Sequence, residues 1–394
     1  MAVSKSHHKL GAVFIASAMG FVALTLCFSQ RSPAEENPHP DEALRALGET
    51  LFFDPNLSKD RTQSCSTCHD PEAGFADGRR NETQGALSTG QDGKSLGARN
   101  APTVSYAFLS PTFGRTKAGA YEGGQFHDGR AATLEAQAVQ PMLNPVEMQM
   151  PDAASVAARL RESDYYVTAF AELFGPKVLE GTDTAVAAMT KAIAAYERSP
   201  AVSPFDSKYD RSLRGEYKMT DQEELGRVLF FSNQFTNCHL CHKLTALGDG
   251  QESFTNFSYH NIGVPRNPAI EGFGTVPPAD HGLFGRDDIA GTQYDGQFKV
   301  PTLRNVAVTG PYMHNGVFKD LRTVILFYDK YNSSSPKRQI DPETGQPWGA
   351  PEIPDNISQK ELTVGPPLDD RRIDALVAFL KTLTDRRYEP LLKP

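Results

Sequence analysis

The chain has 394 residues, with 40 lysines and arginines against 48 acidic residues and a formal charge of −8. This acidic balance argues against nucleic acid as a partner and fits a protein that meets other proteins in solution. The length suffices for two ordinary domains that enclose large apolar cofactors, so the five cysteines are not needed as a disulfide framework.

Residues 1–30 read as an export segment, because Lys5 and Lys9 precede an apolar run over 10–28 that is nearly long enough to span a bilayer. A cleaved signal peptide and a retained anchor both fit this pattern. Leu26 ahead of Cys27 is not the small residue that lipidation requires. Loss of the segment moves the formal charge to about −10.

After a Pro-rich entry, residues 41–53 place Leu44, Leu47, Leu51 and Phe52 at helical spacing. That helix leads into Cys65-Ser66-Thr67-Cys68-His69, a CxxCH motif whose thiols can form thioethers with haem vinyl groups while the imidazole binds iron. A lone CxxC is also compatible with a redox dithiol, a zinc half-site or a disulfide. Here a His follows each of two such pairs and no further pair completes a zinc site, which favours haem. Helical patterns continue over 151–162, 165–174 and 183–198. Pro200 and Pro204 then break the chain, so a domain boundary is expected within 199–214, giving domains over 31–205 and 206–394.

The next helix is predicted to begin only at Thr220, where Thr220-Asp221-Gln222-Glu223 forms a capping box, and it leads into the second motif, Cys238-His239-Leu240-Cys241-His242. Leu47-Gly48-Glu49-Thr50-Leu51-Phe52-Phe53 matches Leu225-Gly226-Arg227-Val228-Leu229-Phe230-Phe231, each copy preceding a CxxCH, as expected of an internal duplication. Residues 85–97, 263–291 and 341–354 read as long Gly/Pro-rich loops. Over 369–384, Ile373, Leu376, Val377, Leu380 and Leu383 define the buried face of a last helix. The expected fold is mostly α, with two cytochrome c-like haem domains, long loops and two covalent haem c groups. Haem attachment to CxxCH takes place beyond the bacterial inner membrane, so a periplasmic address is expected. His69 and His242 are the expected proximal ligands. For the opposite faces spacing leaves His39, His127, His260, His281 and His314 open, along with several Met and Tyr.

Five blocks narrow this choice: Ala98-Arg99-Asn100-Ala101-Pro102-Thr103, Asp128-Gly129-Arg130-Ala131, Leu143-Asn144-Pro145-Val146-Glu147-Met148, Phe298-Lys299-Val300-Pro301-Thr302-Leu303-Arg304-Asn305, and Pro311-Tyr312-Met313-His314-Asn315-Gly316. In this order they resemble the bacterial dihaem cytochrome c peroxidase family. Ser203-Pro204-Phe205-Asp206-Ser207-Lys208-Tyr209-Asp210-Arg211, Phe254-Thr255-Asn256-Phe257 and the stretch over 383–390 are similar to its methylamine-utilisation branch.

The resemblance implies an open first haem, since the loop over 81–97 holds no His to block it. It implies Tyr328 as a ligand of the second haem, where the residue alone would read as a helix-packing tyrosine. Glu147 matches the family's catalytic carboxylate, with Gln137 and Pro141 lining the same pocket; by itself Glu147 would read as a solvated charge. Asn100 and the carbonyls of Thr309 and Pro311 match a calcium site between the haems. The family's inter-haem tryptophan is His127 here, and a second relay tryptophan is Thr236. The only tryptophan is Trp348, which leaves two expectations: His127, Phe235, Tyr312 or Tyr259 substitutes as the relay, or the electrons tunnel directly. The implied reaction uses hydrogen peroxide, or dioxygen plus electrons, to oxidise two tryptophans of precursor methylamine dehydrogenase to tryptophan tryptophylquinone by long-range electron transfer. Two alternatives stand beside it: a peroxide-reducing cytochrome c peroxidase fed by a small redox protein, and a dihaem electron carrier with no catalytic site.

Overall fold

The computed structural model describes residues 40–244, 251–273 and 276–392. The export segment, Cys27 and His39 lie outside them. Twelve helices carry the described chain: α1 (Pro40–Phe52), α2 (Cys65–Cys68), α3 (Leu134–Ala138), α4 (Gln140–Leu143), α5 (Ala153–Arg161), α6 (Asp164–Phe174), α7 (Thr182–Glu197), α8 (Lys208–Leu213), α9 (Asp221–Phe230), α10 (Leu321–Asp329), α11 (Gln359–Leu362) and α12 (Asp370–Lys381). The strands among these residues are two antiparallel pairs, Gly114–Arg115 with Tyr121–Glu122 and Tyr259–His260 with Phe298–Lys299. None of the described helices is long and apolar enough to cross a membrane.

Two helix crossings organise the fold, and both depend on a glycine in the repeated sequence. Where α1 meets α7, a Cβ at Gly48 would stand 1.9 Å from the Ala192 carbonyl oxygen and 3.0 Å from Tyr196 Cβ. Where α9 meets α12, a Cβ at Gly226 would stand 1.9 Å from the Ala375 carbonyl oxygen and 2.7 Å from Phe379 Cβ. A side chain at either position would force the helices apart, at a cost typical of overpacking, about 1–3 kcal/mol. The periodic apolar residues then meet across each crossing. Leu47, Leu51 and Phe52 pack with Met189, Ala192 and Ile193 in one core. Leu229 and Phe230 pack with Leu376, Phe379 and Leu380 in the other.

Behind each CxxCH the chain turns back in the same way. Thr103 Oγ1 donates to Gly74 O at 2.6 Å, and Thr302 Oγ1 to Ser253 O at 2.7 Å. Tyr106 and Asn305 both take left-handed backbone, φ 64° and 60°, ahead of single 3-10 turns at Ala107–Leu109 and Val306–Val308. The fully buried Asp385 carboxylate joins these two residues, accepting from Tyr106 Oη at 2.6 Å and from Asn305 Nδ2 at 2.8 Å.

The stretch over 199–214 differs from expectation, because α8 intervenes before Thr220. Ser207 and Asp210 form a reciprocal capping box that restarts the helix three residues after Pro204. Asp210 also accepts both Arg304 Nη atoms, at 2.9 and 3.0 Å, in a pair with no solvent exposure at the arginine. Breaking such a buried pair by removing one partner typically costs about 3–5 kcal/mol. Thr220 caps α9 as its sequence predicts, with Glu223 Oε2 accepting from Thr220 N at 2.8 Å.

Candidate functional site

One continuous cavity of about 890 Å³ runs between the two helix crossings, and both CxxCH motifs line it. Helical spacing delivers the side chains. On α10, Leu321, Val324, Ile325 and Tyr328 share the face toward the cavity, so Tyr328 is placed two turns from Leu321. On α3, Leu134, Gln137 and Ala138 do the same. The expected haem, catalytic and calcium residues line this space, with His127: Cys65, Cys68 and His69; Cys238, Cys241 and His242; Glu147, Gln137 and Pro141; Tyr328; and Asn100, Thr309 and Pro311.

The four motif thiols are free of disulfides. His69 Nδ1 lies 3.3 Å from Phe75 O, and His242 Nδ1 lies 3.0 Å from Phe254 O. A carbonyl can only accept, so Nδ1 carries the proton in each ring and Nε2 keeps a lone pair for iron. Burial favours the neutral ring, lowering the pKa of His69 and bringing that of His242 to about 4. Phe75 and Phe254 share positive φ, 55° and 52°. These orienting carbonyls carry no side-chain signal, and the sequence does not reveal them. Thiol pairs, ring nitrogens held for metal binding and a largely apolar cavity fit two covalent haems.

Glu147 belongs to a tightly tied loop. Asn144 Nδ2 donates to Glu147 Oε1 at 2.7 Å, and Gln91 N donates to Glu147 O at 2.8 Å. At Gly90 a Cβ would fall 2.3 Å from Val146 O, so the loop over 88–97 presses directly on the Glu147 backbone. Burial raises the Glu147 pKa above the ordinary carboxylate range, against opposing contributions from Arg130 and Asn144. A carboxyl held this way can accept or donate a proton.

His127 Nε2 lies 2.9 Å from Asn100 O, and burial drives its pKa down to about 4. Asn100 Nδ2 donates to Ala86 O at 3.2 Å, which leaves its Oδ1 as an oxygen donor. Phe235, Thr236 and Tyr312 line the cavity with His127. Tyr259 instead donates to Gly123 O at 2.6 Å, packed among Phe113 and Tyr121. Trp348 stacks edge-on to Phe318 and Phe327, its Nε1 bonded to Arg338 O at 2.8 Å, as a packing residue. Of the remaining histidines, His260 and His314 line the cavity, whereas the half-exposed His281 pairs with Asp295 at 2.7 Å.

A family model described as di-haem cytochrome c peroxidase matches residues 42–218. The chain is 54% identical over 374 residues to methylamine utilization protein MauG of Paracoccus denitrificans, covering 94% of this chain and 96% of that protein. It is 34% identical over 300 residues to cytochrome c peroxidase Ccp of Escherichia coli, covering 75% and 55% of the respective chains. The crystal structure of the diheme peroxidase BthA from Burkholderia thailandensis superposes with a TM-score of 0.77 at 33% identity, covering 91% of this chain and 89% of that one.

Proposed function

The chain belongs to the di-haem cytochrome c peroxidase family, as an oxidoreductase with two haem c groups, and from that premise we propose that it carries out the MauG reaction. In this reaction, oxidising equivalents from hydrogen peroxide, or from dioxygen plus electrons, are passed over a distance to precursor methylamine dehydrogenase, two of whose tryptophans become tryptophan tryptophylquinone. The observation that carries the reading is the inequality of the two ends of the cavity: a carboxylate loop at one and a tyrosine at the other, in a chain 54% identical to a MauG.

Bound haem supplies redox-active iron at each end. Cys65 and Cys68 would hold the first group and His69 would ligate it; Cys238, Cys241 and His242 would do the same for the second, with Tyr328 as a further ligand. Glu147 takes a proton from the near oxygen of peroxide and returns it to the far one, while Gln137 and Pro141 limit what reaches that oxygen. His127, which lines the same cavity, would take the place of the aromatic relay that the resemblance implies. A protein substrate of this kind docks on the outer surface, and only small oxidants would enter the cavity. The duplication reading, with domains over 31–205 and 206–394, is supported by the paired crossings at Gly48 and Gly226 and by the paired turns at Tyr106 and Asn305. Periplasmic export agrees with the relatives' chemistry, and the segment over 1–30 would direct it.

Asn100 Oδ1 with the carbonyls of Thr309 and Pro311 would hold one calcium ion, its shell completed by water. Removing calcium with a chelator is expected to slow peroxide-driven turnover, with recovery on adding calcium back; turnover and metal content both unchanged by chelation would remove the site. For the function itself, enzyme and peroxide are mixed with precursor methylamine dehydrogenase and quinone absorbance is followed. Growth of that absorbance supports the reading. Rapid turnover of reduced cytochrome c with no quinone would instead select the peroxidase reading, which the 34% identity to the Escherichia coli enzyme favours more distantly.

A further inference from the structure

The two helix crossings present equivalent positions to the cavity, and one pair differs in kind. With Gly48 on Ala192 and Gly226 on Ala375, Ile193 corresponds to Leu376 and Glu197 to Leu380. All four line the cavity. Leu380 is 3% exposed, and so is Glu197, a carboxyl where packing alone wants an apolar side chain. Glu197 Oε2 is buried with no hydrogen-bond partner among the described residues. A buried polar atom left so is rare and calls for a reason.

The groups facing it do not neutralise it. They are Cys65 from α2, Glu135 from α3, and Tyr196 and Arg198 beside it in sequence. Arg198 is drawn outward to Glu135, at 2.7 Å. Burial therefore pushes the Glu197 carboxyl up to about 8, with Arg198 opposing and Glu135 adding.

We propose that Glu197 is a proton-coupling site for the haem held at Cys65, Cys68 and His69, taking up one proton from water when that haem gains one electron and releasing it on oxidation. The inference rests on the assignment of the first haem to this motif. One electron from an external one-electron donor and one proton enter together, so the charge of the closed pocket is unchanged. Oxidised iron adds positive charge nearby and favours the ionised carboxyl; reduction favours the neutral one. By linkage, raising the pH ionises Glu197 first in the oxidised state, stabilises that state and lowers the first haem's potential. Leu380 gives the second haem no such group.

The test is a spectroelectrochemical titration of the holoprotein at pH values from below to above neutrality. The wild-type first-haem potential is expected to fall as pH rises. In Glu197→Gln that pH-dependent segment is lost, while the second haem's curve is unchanged. A flat wild-type curve, or equal slopes in both proteins, overturns the proposal. Redox-difference infrared spectra of the wild type add a measurement that needs no variant: a protonated-carboxyl band should grow on reduction, and its absence overturns the proposal as well. Haem counts in Cys65→Ala/Cys68→Ala separate the two levels of the argument. Retention of both haems there defeats the underlying assignment, whereas loss of one alongside a flat wild-type curve defeats the proton coupling alone.

Discussion

Glu147→Gln is expected to slow the reaction of the diferric protein with hydrogen peroxide by about 10²–10⁴-fold, the range that a positioned general acid–base commonly contributes. The substitution is nearly isosteric. Glutamine Oε1 can still accept from Asn144 Nδ2, and the loop remains tied through Gln91 and the close approach at Gly90. What disappears is the ability to take a proton from one peroxide oxygen and give it to the other. The wild-type pH profile carries the same information. Burial raises the Glu147 pKa, so the carboxyl stays protonated to higher pH than a free glutamate and loses its capacity as a base there. The rate should therefore fall as pH drops through that raised pKa, and the inflection should vanish in the glutamine variant. Stopped-flow mixing of the diferric protein with peroxide reads both effects; a variant that reacts as fast as wild type would remove Glu147 from the chemistry.

Tyr328→Met is expected to raise the potential of the second haem by a sizeable part of the roughly 0.8 V range that axial ligands command. The same change should shorten the life of the peroxide-oxidised protein and reduce quinone yield. A phenolate donates charge and stabilises oxidised iron, whereas a thioether favours the reduced form. The placement makes methionine a fair replacement, since α10 turns position 328 toward the cavity on the face that also carries Leu321, Val324 and Ile325. Phe327, fully buried, packs instead against Phe318 and Trp348, so helix packing should survive the change. Potentials from redox titration, with the absorption spectrum of the oxidised protein, decide the matter. If neither moves, Tyr328 packs against the second haem without ligating it.

Much of this site was legible because its chemistry is written in short, spaced motifs. The two CxxCH runs and the helix ahead of each follow from local sequence, whereas Tyr328 is picked out by the family resemblance and by itself reads as a helix-packing tyrosine. The structure places these residues around one cavity. Other features have no local signature. The carbonyls of Phe75 and Phe254, which orient the two histidine rings, belong to residues chosen for their backbone angle. Glu197 sits before Arg198 in an Ala-rich helix and reads there as half of a surface ion pair; only the crossing at Gly48 shows that it turns inward. Helix α8 was hidden by Pro200 and Pro204, whose breaking effect outweighed the cap at Ser207 in any linear reading.

The Asp385 carboxylate has a further consequence, for the order in which the protein is completed. It accepts from Tyr106, 279 positions earlier in the chain, and from Asn305, 80 positions earlier. Closing so long a loop adds little in equilibrium terms, since each doubling of length costs only about 0.6 kcal/mol, but contacts of this range form slowly. A ribosome delivers Tyr106 long before Asp385. Until the later residue arrives, the tyrosine hydroxyl lacks one of its buried partners, which favours keeping that region open to water. The Tyr106 turn, though synthesised early, therefore gains its last buried partner only when the end of the chain arrives.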